Sequence, residues 1–461
     1  MAETLAADSL ADRASATPPP AIPPPERAEE QLPSMAYRSW FLFLMVLVSA
    51  SVVGERYMMV VMVEPIRRDL GLSDTMIGVV KDLIIAIVYI VAVIPLARVA
   101  DGWSKRKIVA IGAATWSLAI IVCGLAKNFW ILLIGRAGIG LGEGAYTPAS
   151  QAWIADLFPM KQRATALSIF LLGASLGTFA GPAMGGWLAQ EYGWRNALLL
   201  ASIPGFILVP LVWFTLRDTR PGLADGHTAG QTRQMPFRET LREIMAIRTL
   251  PLLIGAASLN ALLTLGLIGW APAFMERTHG MPASQAGLQM GGALFFGSVV
   301  GHTVGGPLSD WLGRRDLRWY IWIMLCSGLA ATALNFVLLT GPSERVFPMF
   351  GLTMLVGGLS AAPLMAVVAG LAPTHSRSTA IALLMVAINV VGLGGGPVLI
   401  GALSDLLRPL YGEDSLRMAM LWALVAAVPS TLLSWLGGRT CRGDFAKAGG
   451  WGKTAPTTPM H

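Results

Sequence analysis

Two pairs of opposite charge stand in stretches that are otherwise apolar: Glu55-Arg56, inside the run from Trp40 to Val63, and Arg136 with Glu143, inside the run from Ile134 to Tyr146. Carboxylates and guanidinium groups placed this way can do proton chemistry. Burial raises a carboxyl group's affinity for a proton and a nearby arginine lowers it, so an arginine that moves, or an anion that enters, can switch the group between its two states. Seven residues advance an α-helix by about two turns, which puts Arg136 and Glu143 on one face, about 10.5 Å apart along the axis. Counted from Phe129 at about 1.5 Å per residue, Arg136 lies about 10 Å deep and Glu143 about 21 Å deep, close to the midplane of a bilayer. Glu143 and Glu55 are equal candidates for the proton carrier. Arg56 follows Glu55 directly and points about 100° away from it, so Glu55 can pair with Arg136 while Arg56 offers a bidentate site to an anionic head group. The alternative for the same residues is a set of static ion pairs that fix helix packing.

Charges at that depth need elements that shelter them. The chain is 54% apolar and 13% charged over 461 residues, with a mean hydropathy of +0.61, which places it in lipid. Runs long enough to cross a bilayer, roughly 20 residues, occur at about 40–63, 75–97, 108–126, 129–152, 164–188, 196–216, 251–274, 286–308, 319–339, 347–370, 379–403 and 418–436. Twelve transmembrane helices in an all-α protein follow. A Pro/Ala-rich tail over 1–37 precedes them and is read as disordered and cytosolic, and a tail over 438–461 follows. Between the sixth and seventh runs, 217–250 forms a polar linker whose second part, from Phe237, has the spacing of an amphipathic surface helix. Of the 34 Lys and Arg residues, 23 fall on the side of the two termini and 8 on the other, with Arg56, Lys81 and Arg136 inside spans. Both termini are therefore expected in the cytosol, in a multi-pass protein of the cell's inner (plasma) membrane. The net charge of +7 then reflects topology and attraction to anionic membrane lipids, with no nucleic-acid partner. Three scattered cysteines and five scattered histidines give no disulfide framework and no metal-ligand spacing, and no phosphate loop or catalytic constellation is present. Neither an enzyme nor a cofactor is expected; the energy source is a proton gradient.

The chain also repeats itself. Asp101-Gly-Trp-Ser-Lys105-Arg106 after the second run is matched by Asp310-Trp-Leu-Gly313-Arg314-Arg315 after the eighth, which Gly306 precedes; the aspartates are 209 residues apart. Arg163-Ala-Thr-Ala is matched by Arg377-Ser-Thr-Ala at 214, and Gly177-xxx-Gly181-Pro182 by Gly392-xxx-Gly396-Pro397 at 215. Each match falls in the equivalent span of its half, so the spans form two pseudo-symmetric six-helix bundles, 38–216 and 251–437. These loops, with the Arg-xxx-Gly-x-Gly run that begins at Arg136, resemble the major facilitator superfamily over about Arg38 to Leu436. Within it, Glu55-Arg56, Leu72-Ser-Asp74, Gly142-Glu143, Ile154-Ala-Asp156 and Tyr192-Gly-Trp-Arg195 resemble the spinster-like branch. Ala97 and Ser104 stand where the superfamily usually has glycine, and Glu55 where the branch usually has aspartate.

The resemblance implies a gate made by Asp101, Lys105 and Arg106, with Gly306, Asp310, Gly313, Arg314 and Arg315 as its pseudo-symmetric copy. Asp101 can then approach the start of the eleventh span near Arg377 and Ser378, where the helix dipole favours an anion, and Lys105 and Arg106 meet acidic groups or lipid phosphates. Gly177, Gly181, Pro182, Gly392, Gly396 and Pro397 are expected at close helix contacts. Met59, Tyr146, Asn260 and Asn389 are candidate cavity linings, with Met58 and Met62 beside Met59. His302 is read as a structural hydrogen-bonding group or a transport residue, and Lys81-Asp82 as an ion pair at the outer surface. The sequence therefore describes a secondary carrier that moves an amphiphilic or organic, anionic solute by alternating access, coupled to protons and working as a monomer. A transporter-like sensor that binds without translocating is the alternative.

Overall fold

The computed structural model describes residues 32–102, 104–219, 237–373 and 376–447. The described chain is helical, and four helices of the first half start where a side chain supplies a partner for free backbone N–H groups. Ser34, Ser73, Ser104 and Asn128 accept from the backbone N–H of Tyr37, Met76, Lys107 and Ile131 at 3.0–3.3 Å. Span one is Met35–Val61. Span two runs through Asp74–Gly78, the π-helical turn Val79–Leu83 and Ile84–Gly102. Spans three and four are Lys105–Gly124 and Phe129–Leu157. Spans five and six lie within Met160–Thr215, parted at Gly193, whose φ of 77° breaks the helix in a region open to glycine. In the second half, span seven is Thr249–His279, eight Ala283–Gly313 and nine Trp319–Thr340. Span ten is Ser343–Gly358 and Ala361–Leu371. Span eleven comprises Arg377–Ala387, a π-helical stretch Ile388–Gly395 and Gly396–Tyr411. Span twelve begins at Ser415 and runs to Lys447.

The helices overrun the apolar stretches because polar ends continue past the hydrocarbon; span twelve extends well beyond 437. The disordered reading of the N-terminal tail concerns 1–31, outside the described residues, whereas span one already begins at Met35. In the linker, Phe237–Ala246 is the helix that the spacing predicts; 220–236 lie outside the described residues.

Two kinds of glycine contact hold the spans together. Within each half, Gly177 and Gly181 of span five meet the backbone of Ala50 and Gly54 in span one, and Gly396 of span eleven meets Leu262 and Gly266 in span seven. Gly392 sits against Ala261. A Cβ at Gly177, Gly181 or Gly396 would collide with main-chain atoms, and one at Gly392 with the Ala261 methyl, so the helices touch where side chains are missing. Between the halves, Gly287 of span eight lies on the Pro182 carbonyl and Gly78 of span two on Pro397 and Val398. The pseudo-twofold is thus written in matching seams.

Candidate functional site

In the first half, the four predicted charges form two crossed pairs. Arg136 donates to Glu55 at 2.7 Å, and its other nitrogens donate to the main-chain carbonyls of Val80 (3.2 Å) and Lys81 (2.8 Å). Arg56 donates to Glu143 at 2.5 Å. Arg136 and Glu143, although on one face, therefore have different partners, each on span one. Neighbours at about 100° around that helix reach span four at two depths. The pairs differ in access: the Arg136 and Glu55 side chains are 0% and 1% exposed, those of Arg56 and Glu143 25% and 7%. Two atoms of the cluster lack hydrogen-bond partners, the second oxygen of Glu55 and the Nε of Arg56. Arg56 is thus not a free anion site here; it is engaged by Glu143 at the more open edge of the cluster.

Lys81 and Asp82 are paired at 2.6 Å, but both are buried, at 1% and 5%. The expectation of an outer-surface pair fails because the π-turn Val79–Leu83 tucks them against the other half. A Cβ on Gly269 of span seven would strike the Lys81 ammonium.

At the end opposite the termini, a network that the sequence reading missed joins the halves. Arg277 donates to both Asp74 oxygens (2.8 and 2.7 Å) and to Glu64 (2.7 Å). Glu64 also receives Arg67 (2.7 Å) and Arg68 (2.9 Å), and Arg68 lies 3.3 Å from Glu276. Asp405 accepts from the backbone of Asp74 and Thr75 and from the Thr75 hydroxyl (3.0, 2.8 and 2.6 Å), while Ser404 donates to Asp74 at 2.7 Å. Burial pushes the Glu64 carboxyl up, but the hydrogen bond from Arg67 and the charge of Arg277 outweigh it and hold the group below the usual carboxylate range. A second, uncharged seam closes the same end: Ser284 donates to Gln190 at 2.6 Å, and Gly186 meets Ala283. The one signal for Asp405 is that Leu-Ser-Asp recurs at 72–74, 308–310 and 403–405.

At the end bearing the termini, the predicted gate residues make contacts within their own halves. Lys105 pairs with Asp156. Arg106 donates its backbone N–H to Asp218 (3.1 Å), and its guanidinium lies over Trp213. Asp310 accepts from Tyr320 at 2.7 Å, Gly313 leaves room for the Tyr320 ring, and Arg315 stacks over Trp311. Gly306 is not at a tight contact. The side chains of Asp101 and Ser378, and with them their approach to each other, lie outside the described residues.

A cavity of about 370 Å³ with a mixed polar and apolar lining lies mainly between spans five, seven, eight, nine and ten and is reached from span one by Tyr57, the residue after Arg56. A second cavity of equal volume adjoins it inside the second half; the two share Asn260, Thr264, His302, Gly328 and Ser360. Of the cavity candidates, Asn260 lines both. Met59 and Tyr146 are buried in the first half's core with Met58 and Met62, because their face of the helix meets neighbouring spans. Asn389, on the π-stretch, donates to the Met385 carbonyl at 2.8 Å. Tyr57 and Thr353 were missed, since one polar residue in an apolar helix does not show which way it faces.

The family model described as Major Facilitator Superfamily matches residues 42–397. The chain is 30% identical to an MFS-type efflux pump of Mycolicibacterium smegmatis, over 85% of this chain and 90% of that protein. It is 26% identical to the sphingosine-1-phosphate transporter SPNS2 of Mus musculus, over 80% and 71%. Its fold is similar, with a TM-score of 0.82 at 24% identity, to the crystal structure of a bacterial homolog of the human lysosomal transporter Spinster in an inward-facing, unoccupied conformation, covering 92% of this chain and all of that one.

Proposed function

The chain belongs to the major facilitator superfamily of transporters, as an integral multi-pass membrane protein, and from that premise we propose that it is a proton-coupled secondary carrier of an organic anion. The observation that carries this reading is the unequal exposure of the two crossed pairs. Arg136 and Glu55 are enclosed, and removing either would leave a buried charge alone. Arg56 is the accessible cation. An anionic group arriving at Arg56 competes with Glu143 for the guanidinium, and Glu143, losing its partner in a site of low polarity, gains affinity for a proton. When the anion leaves, Arg56 returns and the proton is expelled. Glu55, with one oxygen unpartnered, is the second place where a proton can rest.

With both termini in the cytosol, as the distribution of Lys and Arg favours, the network around Arg277 closes the outer end and the cavity opens inward. Breaking that network while Asp101 engages the start of span eleven gives the opposite state, with the seams as the surfaces that rock. The transmembrane proton gradient supplies the energy and no bound cofactor enters. The name of the sphingosine-1-phosphate transporter among the relatives supports an amphiphilic anion as one form of solute. The proposed setting is the inner (plasma) membrane, with the monomer as the working unit.

The test is proton movement into proteoliposomes, followed with an entrapped pH indicator, on addition of a panel of organic anions. Glu143→Gln is expected to abolish the anion-evoked signal while the protein remains folded and inserted. An undiminished signal in that variant removes Glu143 from the mechanism.

A further inference from the structure

The cavity reached by Tyr57, lined mainly by the second half with Ala174, Ser175 and Thr178 from the first, has features that helix packing leaves unexplained. Span ten borders the cavity through Thr353, Gly357 and Ser360, and Ser360 lines both cavities. Thr353, about two turns before Ser360, is 3% exposed and lines the cavity, yet its hydroxyl has no hydrogen-bond partner. Thr303, Thr332 and Thr340 of spans eight and nine each donate to the carbonyl four residues back, at 2.7–2.8 Å, which is the usual resting place for a helical threonine. A buried hydroxyl left unpaired costs about 1–3 kcal/mol, so it points to a partner that comes and goes. His302 is exposed into the same space. Gly357 also lines the cavity, and a Cβ there would meet nothing within 4 Å; a side chain at this position would fill the cavity, not strike a helix. None of the described residues lining either cavity is Asp, Glu, Lys or Arg.

We infer that this cavity is a second recognition site for the solute, which takes an uncharged, hydroxyl-bearing part of the molecule through Thr353, His302 and Asn260. The inference rests on the carrier reading above and adds to it the other end of the solute: the charge is met in the first half, the hydroxyl groups in the second. A volume of about 370 Å³ is within the range of small-molecule pockets. A hydroxyl group can both donate to His302 or Asn260 and accept from Thr353, which an alkyl chain cannot do. The preferred solutes are therefore hydroxylated organic acids, and the residues around His302 set that preference.

The experiment uses the full-length protein in phospholipid nanodiscs and titrates gluconate against hexanoate, a pair with the same carbon count and charge that differs in hydroxyl groups. Gluconate is expected to bind about tenfold more tightly, as one or two net hydrogen bonds would give. Gly357→Leu, which fills the cavity, should abolish the preference, as should His302→Ala combined with Thr353→Val; hexanoate affinity should move by less than about threefold. Equal affinities in the wild type, no measurable gluconate binding, or a preference that survives in both variants overturns the inference. Proton movement through Glu143 is read separately in proteoliposomes. A gluconate preference without coupling sinks the coupling and leaves the second site, and coupling without the preference does the reverse.

Discussion

The two halves share a backbone plan and divide the chemistry between them. In the first half, the glycine that meets span five, Gly54, is followed by Glu55-Arg56; in the second, the glycine that meets span eleven, Gly266, is followed by Leu267-Ile268. The same place in the seam thus carries an ionised pair on one side and two aliphatic residues on the other. Ile268 lines the cavity, whereas Glu55 is locked onto Arg136. Duplication supplied two equivalent frames. Divergence at a few positions made one a holder of charge and the other a holder of neutral polar groups.

The largest effect expected from this division is on stability. Arg136→Ala strands a buried Glu55 and leaves the Val80 and Lys81 carbonyls without their donor, a loss of about 3–5 kcal/mol, while Asn260→Ala in the other half should cost less than about 1 kcal/mol. Thermal unfolding in one detergent compares the two directly, and similar losses would erase the contrast between the halves. Next come the two seams at the end opposite the termini. Asp405→Asn weakens the charged one, by about 2 kcal/mol on the scale of hydrogen bonds to charged groups. Spin labels placed at Tyr192 and Leu410 should then show a longer-distance population; an unaltered distribution would mean that the glycine contacts alone hold that end shut. Acid provides a milder perturbation of the same seam. Glu64 has a lowered affinity for protons in the folded protein, so its contribution is fully present above the unfolded carboxyl value of about 4.3 and is lost as pH falls through the lower folded value. The label distances should therefore stay constant from about pH 7 to 5 and lengthen only below about pH 4; a change near pH 6 would point to another group. The smallest effect belongs to the neutral seam, where Ser284→Ala removes one bond to Gln190 and should shift stability by less than about 1 kcal/mol.

Much of this architecture was legible in the sequence because it is local or repeated. Twelve apolar runs, the matched Asp-loops and the Gly-Pro pairs each declare themselves within a few residues, and four helix starts follow from Ser34, Ser73, Ser104 and Asn128. The pairing of Glu55 with Arg136 was also within reach, because depth and facing follow from helical geometry. Contacts that join distant parts were not. Arg277 meets residues more than 200 positions away, and nothing in its own segment separates it from an ordinary loop arginine. Lys81-Asp82 misled for a related reason: a charge pair near a span's end is normally solvated, and only the π-turn, which no local pattern announces, carries it under Gly269. Met59 and Tyr146 show the limit of composition, since a residue type suited to a cavity wall is equally suited to a core.

Arg136 holds a carboxylate on span one and two carbonyls on span two while it belongs to span four. Three helices pinned by a single guanidinium cannot slide past one another without stranding at least one partner, so in the carrier proposed above the first half would act as a stiff lever and move by rotation of the whole block. On that proposal the compliance would reside in the side-chain-free contacts of Gly78 and Gly287 with the opposite half; filling those contacts should stall transport with the charges still in place.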